Sequence, residues 1–354
     1  MCCAVYNPTG MVRIAVENHI PYIKGVLEPF AEVLYLPPEE FTRATIDDVD
    51  AIIVRTRTRC DEKLLDGGRC RFVATATIGT DHIDLDYCRT HGITVANAPG
   101  CNAPAVAQYV HATIGLFMEQ MGSSDPGEFT LGIVGVGHVG SIVERWARML
   151  GYRVLLCDPP RARLEGDSRF VDLDQIASRA DIITFHTPLT TSGVDATYHI
   201  CDASFLHSLK RCKLLINSAR GPITDTAALI SAIDSDPVSH IAIDCWEHEP
   251  CISTELLSRA FVATPHIAGY SAEGKMRATS MVVAAVNKHF GWDAVAPSPA
   301  TPLLGAERVT IEDILRSYNP LDDTAALKSV AASGDLAAGF ESLRNHYVLR
   351  HEVE

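Results

Sequence analysis

Residues 130–140 read Thr-Leu-Gly-Ile-Val-Gly-Val-Gly-His-Val-Gly, an apolar run that ends in Gly135-x-Gly137-x-x-Gly140. The run has the pattern of a buried strand, and Ser141 to Leu150 behind it reads as a helix, so the glycines occupy a strand-to-helix turn. Gly135 suits the tight turn, Gly137 lets backbone approach a pyrophosphate, and Gly140 lets helix and strand pack closely, with the helix N-terminus favouring an anion. Arg153-Val-Leu-Leu-Cys-Asp158 then supplies a second strand ending in a carboxylate. A carboxylate there accepts a ribose 2′-hydroxyl and repels a 2′-phosphate, which favours NAD over NADP. The plainer explanation is a glycine turn beside a solvated aspartate; strand, glycines, helix and acid arriving in order argue against it. S-adenosylmethionine is a rival for the glycines and gains little support downstream.

Outward from this turn, short β-rich apolar runs alternate with helical stretches along the chain, the pattern of parallel sheets with crossover helices. The 354 residues exceed one average domain, and 47% apolar with 21% charged residues is ordinary folded composition. A net charge of −14 argues against partners that are nucleic acid or anionic membrane, and any anionic ligand then needs a local basic pocket. With no apolar run long enough to span a bilayer and no signal-like start, the chain is expected in the cytoplasm. Its 11 cysteines form no C-x-x-C and are expected as free thiols. A strand begins directly after Met11, so residues 1–10 read as an extension or a mis-assigned start.

The organisation expected is α/β: two doubly wound parallel-sheet domains plus a small C-terminal α+β segment. Residues 11–100 form the first domain, with strands at Val12–Val16, Val33–Leu36, Ala51–Arg55, Phe72–Thr75 and Thr94–Ala96, and a return helix within 271–292. Residues 101–270 form the dinucleotide domain, opening with a connecting helix from Ala105 to Met121 that Asn102 can cap. Residues 293–354 form the tail, with helices at Ile311–Tyr318 and Ala337–Arg350.

Three groups fall at the ends of later strands: Asn217-Ser-Ala-Arg220-Gly221, Asp244-Cys-Trp-Glu-His-Glu249-Pro250 and Thr264-Pro-His266-Ile-Ala-Gly269-Tyr270. Carboxyl ends of strands face the ligand crevice of an open α/β sheet, so the three can converge. Arg220 can grip a carboxylate through its planar fork, His266 can take a hydroxyl proton, and Glu249 can orient the imidazole. Singly, each has a plainer reading as an ion pair, a solvated acid or a core histidine. Tyr270 can donate beside His266 or simply pack, and Asp244 can support a nicotinamide, orient the histidine or cap a loop. Val54-Arg-Thr-Arg-Thr-Arg59 offers three guanidiniums to a phosphate, or is a solvated basic turn. The histidines and cysteines show no metal-ligand spacing, so no metal is expected.

With these motifs in view, G-V-G-H-V-G, N-S-A-R-G, D-C-W-E-H-E-P and P-H-I-A-G-Y, the chain resembles the D-2-hydroxyacid dehydrogenase family over most of its length. Thr75-Ala-Thr-Ile-Gly-Thr-Asp-His82, Ala98-Pro-Gly-Cys-Asn102, Leu156-Cys-Asp-Pro-Pro160 and His266-Ile-Ala-Gly-Tyr270 narrow the match. They point to the branch that oxidises a four-carbon phosphorylated 2-hydroxy acid on the way to pyridoxal phosphate. Phe340-Glu-Ser-Leu-Arg-Asn-His-Tyr347, followed by Arg350, is similar to that branch's C-terminal dimerisation domain, which implies a homodimer. The resemblance implies Rossmann-like domains, NAD as cofactor, and Arg220, Glu249 and His266 as catalytic residues, with His266 the proton donor or acceptor. By the same resemblance His138, Val139, Asp158, Thr187, Ser218, Ala219, Asp244 and Gly269 contact NAD together with the glycine turn, and Thr56, Thr77 and Tyr270 contact substrate. The family commonly has serine where this chain has Thr56, which keeps the hydroxyl and adds a methyl.

Two other readings stay open on the sequence. One keeps the chemistry but changes the substrate to 3-phosphoglycerate, glycerate or another short 2-hydroxy acid. The other is an NAD(H)-sensing interaction protein akin to the C-terminal-binding-protein co-repressors.

Overall fold

The computed structural model describes residues 11–166, 168–235, 238–300 and 306–353. The suggested extension or alternative start at 1–10 lies outside them. The chain divides into two compact units, one running to Asn102 and resuming at Glu273–Ala300, the other comprising Ala103–Ala272 and the tail from 301.

The first unit holds five strands, β1 (Arg13–Glu17), β2 (Glu32–Leu36), β3 (Ala51–Val54), β4 (Phe72–Thr75) and β5 (Thr94–Ala96), all parallel in the order β2-β1-β3-β4-β5. Their side chains alternate between two cores, as strand geometry requires. Ile14, Val16, Ile53 and Phe72 pack with Val282, Val283 and Val286 of the helix Ala272–Phe290. Ala15, Ile52, Val54 and Val73 face Leu64, Leu65 and Cys88 on the other side. Burial on both faces explains why these strands read as continuous apolar runs.

The second unit carries β6 (Thr130–Val134), β7 (Arg153–Cys157), β8 (Ile182–Phe185), β9 (Leu214–Asn217), β10 (His240–Ile243) and β11 (Val262–Ala263) in the order β11-β10-β9-β8-β6-β7. Every pairing is parallel. Strand order reverses at β6, flanked by β7 on one side and β8 on the other, which is the point where an open α/β sheet leaves a crevice for a ligand. The helices Ala103–Gln120 and His138–Leu150 share a core with Leu131 and Ile133. In that core His111 donates to the Val143 carbonyl at 3.1 Å, and burial lowers its pKa to about 4. No helix among the described residues is long and apolar enough to cross a membrane.

Three details depart from the sequence reading. The helix after the glycine turn starts at His138, with Gly137 as its N-cap, one turn before Ser141. Asn102 does not cap: its Oδ1 is buried without a hydrogen-bond partner. In the tail, the mixed α+β expectation gives way to three helices, Ile311–Ser317, Pro320–Ser333 and Leu336–Asn345, and a one-residue bridge between Ser271 and Arg350. The last helix therefore stops five residues short of Arg350. Ala306, Val309, Ile314 and Tyr318 complete one core of the second unit, while Leu327 and Phe340 complete the other. At about 1.5–3 kcal/mol per large apolar side chain, the tail is bound firmly to this unit.

Candidate active site

The turn after β6 has the shape its glycines allow. Gly135 adopts φ +88°, and a Cβ there would sit 2.7 Å from the Thr187 backbone nitrogen. A Cβ on Gly140 would lie 2.1 Å from the Gly135 carbonyl oxygen, so helix and strand approach as only glycine permits. At Gly137 a Cβ would meet nothing within 4 Å. The turn is thus closed where it packs and open where backbone would meet a pyrophosphate. His138 and Val139 lie in the helix's first turn, and Asp158 directly follows the neighbouring strand as N-cap of the next helix. Asp158 accepts from the Val136 N–H at 2.8 Å and the Arg161 N–H at 3.0 Å, which ties the acid to the turn.

Two further observations fit a dinucleotide here. The hydroxyls of Thr187, two residues past β8, and Ser218, one residue past β9, are buried without a hydrogen-bond partner. Buried hydroxyls are rarely left unpaired, so both read as groups awaiting a ligand. NAD would be held by the glycine turn, Asp158, Thr187 and Ser218.

Arg220, Glu249 and His266 follow β9, β10 and β11, three adjacent strands, and internal hydrogen bonds draw their loops together. Asn217 donates to the carbonyls of Arg220 at 2.9 Å and Cys245 at 3.4 Å, and accepts from the Ala219 N–H at 3.1 Å. Gly221 lies so near the Trp246 carbonyl that a Cβ would be 1.9 Å from its oxygen. The Arg220 guanidinium donates to the Ala219 carbonyl at 2.8 Å.

Asp244 fixes the His266 loop. Its Oδ1 accepts from the Thr264 hydroxyl at 2.7 Å and from the N–H groups of Ile267 at 2.7 Å and Ala268 at 3.0 Å. These bonds hold His266 at φ +56°, a left-handed conformation that costs a non-glycine residue on the order of 1–3 kcal/mol. Asp244 thus caps the loop, one of the readings the sequence left open. Burial raises its pKa, against the opposing pull of His266 and these donors.

His266 Nδ1 bonds Glu249 Oε2 at 2.8 Å and Oε1 at 3.1 Å, and Glu249 Oε1 also accepts from the Trp246 N–H at 2.8 Å. The other acid of this stretch, Glu247, is engaged by His199 at 2.7 Å and by the Thr226 N–H. Burial opposes the charge on Glu249, but His266 and the Trp246 N–H hold its carboxyl below the usual range. Burial likewise works against the imidazolium, yet the Cys245 sulfur and the Glu249 carboxylate raise His266 well above the ordinary imidazole value. A third of its side-chain surface stays exposed. The pair is an oriented, solvent-reachable imidazole backed by a carboxylate, the equipment of a general acid–base.

Gly269 and Tyr270 continue the loop. Tyr270 meets the Tyr347 ring edge-on, with centroids 5.9 Å apart, and its side chain accepts a hydrogen bond from Arg344. Thr56 and Thr77 belong to the first unit. Thr56 is exposed just beyond β3, while the Thr77 hydroxyl is 2.6 Å from that of Thr75 and donates to the Gly79 carbonyl at 3.1 Å.

The arginine-rich stretch behaves differently from its phosphate-binding reading. The strand ends at Val54, so the alternation that would align Arg55 with Arg57 stops there. Arg55 is committed to buried Glu17 and to the His19 carbonyl, and Arg59 to Asp61 at 2.8 Å.

Three residues the sequence reading left aside stand close to the site. Buried Arg350 donates to the carbonyls of Ile267 at 3.1 Å, Tyr270 at 3.1 Å and Ala105 at 3.1 Å, and also to that of Ala268. Arg344 from the last helix faces Tyr270 and Glu249, and its Nε is buried without a partner. Cys245 lies within hydrogen-bonding reach of the His266 ring. The tail's similarity to a dimerisation segment gave no hint of the two arginines, and a cysteine inside an acidic motif gave none of its neighbour.

The chain is similar to known proteins over most of its length. The family described as D-isomer specific 2-hydroxyacid dehydrogenase, NAD binding domain, matches residues 105–268. The chain is 45% identical over 346 residues to erythronate-4-phosphate dehydrogenase of Bacteroides thetaiotaomicron, covering 96% of this chain and 97% of that one. It is 40% identical over 352 residues to the enzyme of the same name from Edwardsiella ictaluri, covering 96% and 93%. Among solved structures, D-lactate dehydrogenase from Aquifex aeolicus, complexed with NAD and lactic acid, superposes with TM-score 0.65 at 23% identity, covering 79% of this chain and 95% of that one. A glyoxylate reductase from Paecilomyes thermophila gives 0.67, also at 23%, covering 81% and 98%. With close to half its residues identical to a relative matched end to end, the chain belongs to the D-isomer-specific 2-hydroxyacid dehydrogenase family and is an NAD-dependent dehydrogenase.

Proposed function

We propose that this protein oxidises 4-phospho-D-erythronate at its C2 hydroxyl, yielding (3R)-3-hydroxy-2-oxo-4-phosphooxybutanoate in pyridoxal 5′-phosphate biosynthesis. The observation that carries the reading is the bidentate contact between His266 Nδ1 and Glu249, beside Arg220 and Asp244 at the carboxyl ends of adjacent strands. The relatives named erythronate-4-phosphate dehydrogenase supply the substrate.

When bound, NAD accepts the hydride that leaves C2. His266 takes the hydroxyl proton through Nε2, so that the C2–O bond becomes a carbonyl as the C2–H bond breaks. Glu249 stabilises the imidazolium so formed and fixes the ring through Nδ1. Arg220 holds the substrate carboxylate through its planar fork. Thr56, Thr77 and Tyr270 are assigned to substrate contact, and His138, Val139, Asp158, Thr187, Ser218, Ala219, Asp244 and Gly269, with the glycine turn, to NAD. By this assignment the first unit is the substrate-binding domain and the second the NAD-binding domain.

The test is an assay of purified protein with 4-phospho-D-erythronate, supplying either NAD or a 2-oxo acid that reoxidises retained cofactor. Turnover under one condition or both supports the reading, and none under either rejects it. The finer parts are a homodimer assembled through the tail, in the cytoplasm. Nine free thiols among the described residues suit a reducing compartment, and sedimentation reads the assembly.

A further inference from the structure

We propose that Cys245, Glu249 and His266 form an inhibitory binding site for a thiophilic divalent cation of the zinc class. Among the described residues, these three are the one group of metal-ligating side chains whose donor atoms all lie within 4.8 Å of one another. Thiolate, imidazole and carboxylate are the three ligand types zinc takes from proteins. Bonds of about 2.3 Å to sulfur and about 2.0–2.1 Å to nitrogen and oxygen set tetrahedral ligand atoms roughly 3.3–3.7 Å apart. The donor atoms must therefore draw together by at most about 1.5 Å, a distance on the scale of side-chain rotation.

The backbone is already held. Asp244 fixes the loop that carries His266, and the approach of Gly221 to Trp246 fixes the loop that carries Cys245 and Glu249. Cys245 itself is buried, so the cation enters from the side of His266 and Glu249, whose side chains are 33% and 18% exposed. That side also leaves the fourth coordination position to water. The Cys245 sulfur receives no proton in the proposed dehydrogenation and lies 3.4 Å from the Ala219 carbonyl.

On binding, the thiol proton and the imidazolium proton pass to solvent, and the dication is neutralised by thiolate and carboxylate beside a neutral imidazole. The imidazole and the carboxylate are then ligands and no longer available to receive and stabilise the substrate proton. That inhibitory consequence rests on the function proposed above; the binding does not.

The experiment uses the full-length, NAD-loaded protein freed of metal by chelation. Zinc chloride is titrated into the 2-hydroxy acid assay, and cobalt(II) is titrated in parallel while the thiolate-to-cobalt charge-transfer band is recorded. The wild type is expected to lose activity reversibly, recover with chelator, and show the band. Cys245→Ala, scored against its own metal-free rate, is expected to need at least about tenfold more zinc and to lose the band. Cys245→Val serves if the alanine variant fails to fold. Cys251→Ser removes the exposed thiol nearby and should change neither readout. Absence of the band in the wild type, or equal zinc sensitivity in the Cys245 variants, would overturn the proposal. Should the protein oxidise no 2-hydroxy acid, the proposed function fails while the cobalt titration still decides the site.

Discussion

The guanidinium of Arg350 donates to the carbonyl of Ile267, 83 positions earlier in the chain, at 3.1 Å. Ile267 is the neighbour of His266, so the tail clasps the turn that presents the imidazole proposed as the general base. The same guanidinium stacks over the Tyr318 ring at 4.0 Å and receives support from Gln108 at 3.2 Å. A tail that serves only to join subunits would have no need of this contact.

Arg350→Ala should therefore cost about 3 kcal/mol of stability, because several buried carbonyls lose a charged donor together. In whatever protein folds, kcat should fall more than NAD affinity, since the loosened element carries His266 while the glycine turn is tied separately through Asp158. Arg350→Lys should recover part of the stability, being charged yet unable to span all the carbonyls. Denaturant melts and steady-state kinetics check this; equal losses of kcat and NAD affinity would speak against the clasp.

The raised pKa of His266 fixes a pH dependence and its sign. Oxidation needs the neutral ring, so kcat/KM for the hydroxy acid should rise with pH, reaching its plateau above the ordinary imidazole value of about 6.5. Reduction of the 2-oxo acid needs the protonated ring and should fall over the same interval. Glu249→Gln removes a carboxylate that raises this pKa, so both limbs should move to lower pH. Profiles of the two proteins in both directions read the shift, and an unmoved limb would assign it to another group.

The proposed reader of the cofactor ribose is Asp158, whose carboxylate is tied to the Val136 and Arg161 N–H groups. Asp158→Ala should cut discrimination against NADP by about tenfold or more, through lost repulsion of the 2′-phosphate. It should also loosen the turn. Comparison of kcat/KM for the two nucleotides checks this; an unchanged ratio would mean that another group reads the ribose.

The glycines separate packing from binding. Gly140→Ala forces a methyl onto the Gly135 carbonyl and should destabilise the fold by more than about 2 kcal/mol. Gly137→Ala meets no protein atom and should leave the melting temperature within a few degrees, while weakening NAD by at least about tenfold through loss of the open approach. Thermal melts with and without NAD distinguish the two effects.

Much of this was legible in the sequence because it is local. The two parallel sheets announced themselves as apolar runs, since burial on both faces removes the alternation that would mark a half-exposed strand. The glycine turn and Asp158 lie within one βαβ unit, and Arg220, Glu249 and His266 each lie within six residues of a strand end. What escaped was long-range. The partner that commits Arg55 is Glu17, 38 positions away, and no spacing rule connects them. Arg350 is only 9% exposed, and its carbonyl partners lie 80 or more positions earlier in the chain. The helix Pro320–Ser333 buries Pro320, Thr324 and Leu327 alone, too little apolar surface to make a periodic signal.

The most direct test of the central claim is transfer between 4-phospho-D-erythronate and NAD, followed by absorbance of the reduced nicotinamide in wild type and His266→Ala. The wild type is expected to reduce the cofactor, and the variant to bind NAD within a few-fold of wild type while reducing it about 10²–10⁴ times more slowly. Reduction at an undiminished rate in the variant, or none in the wild type with a 2-oxo acid present to recycle the cofactor, would contradict the account.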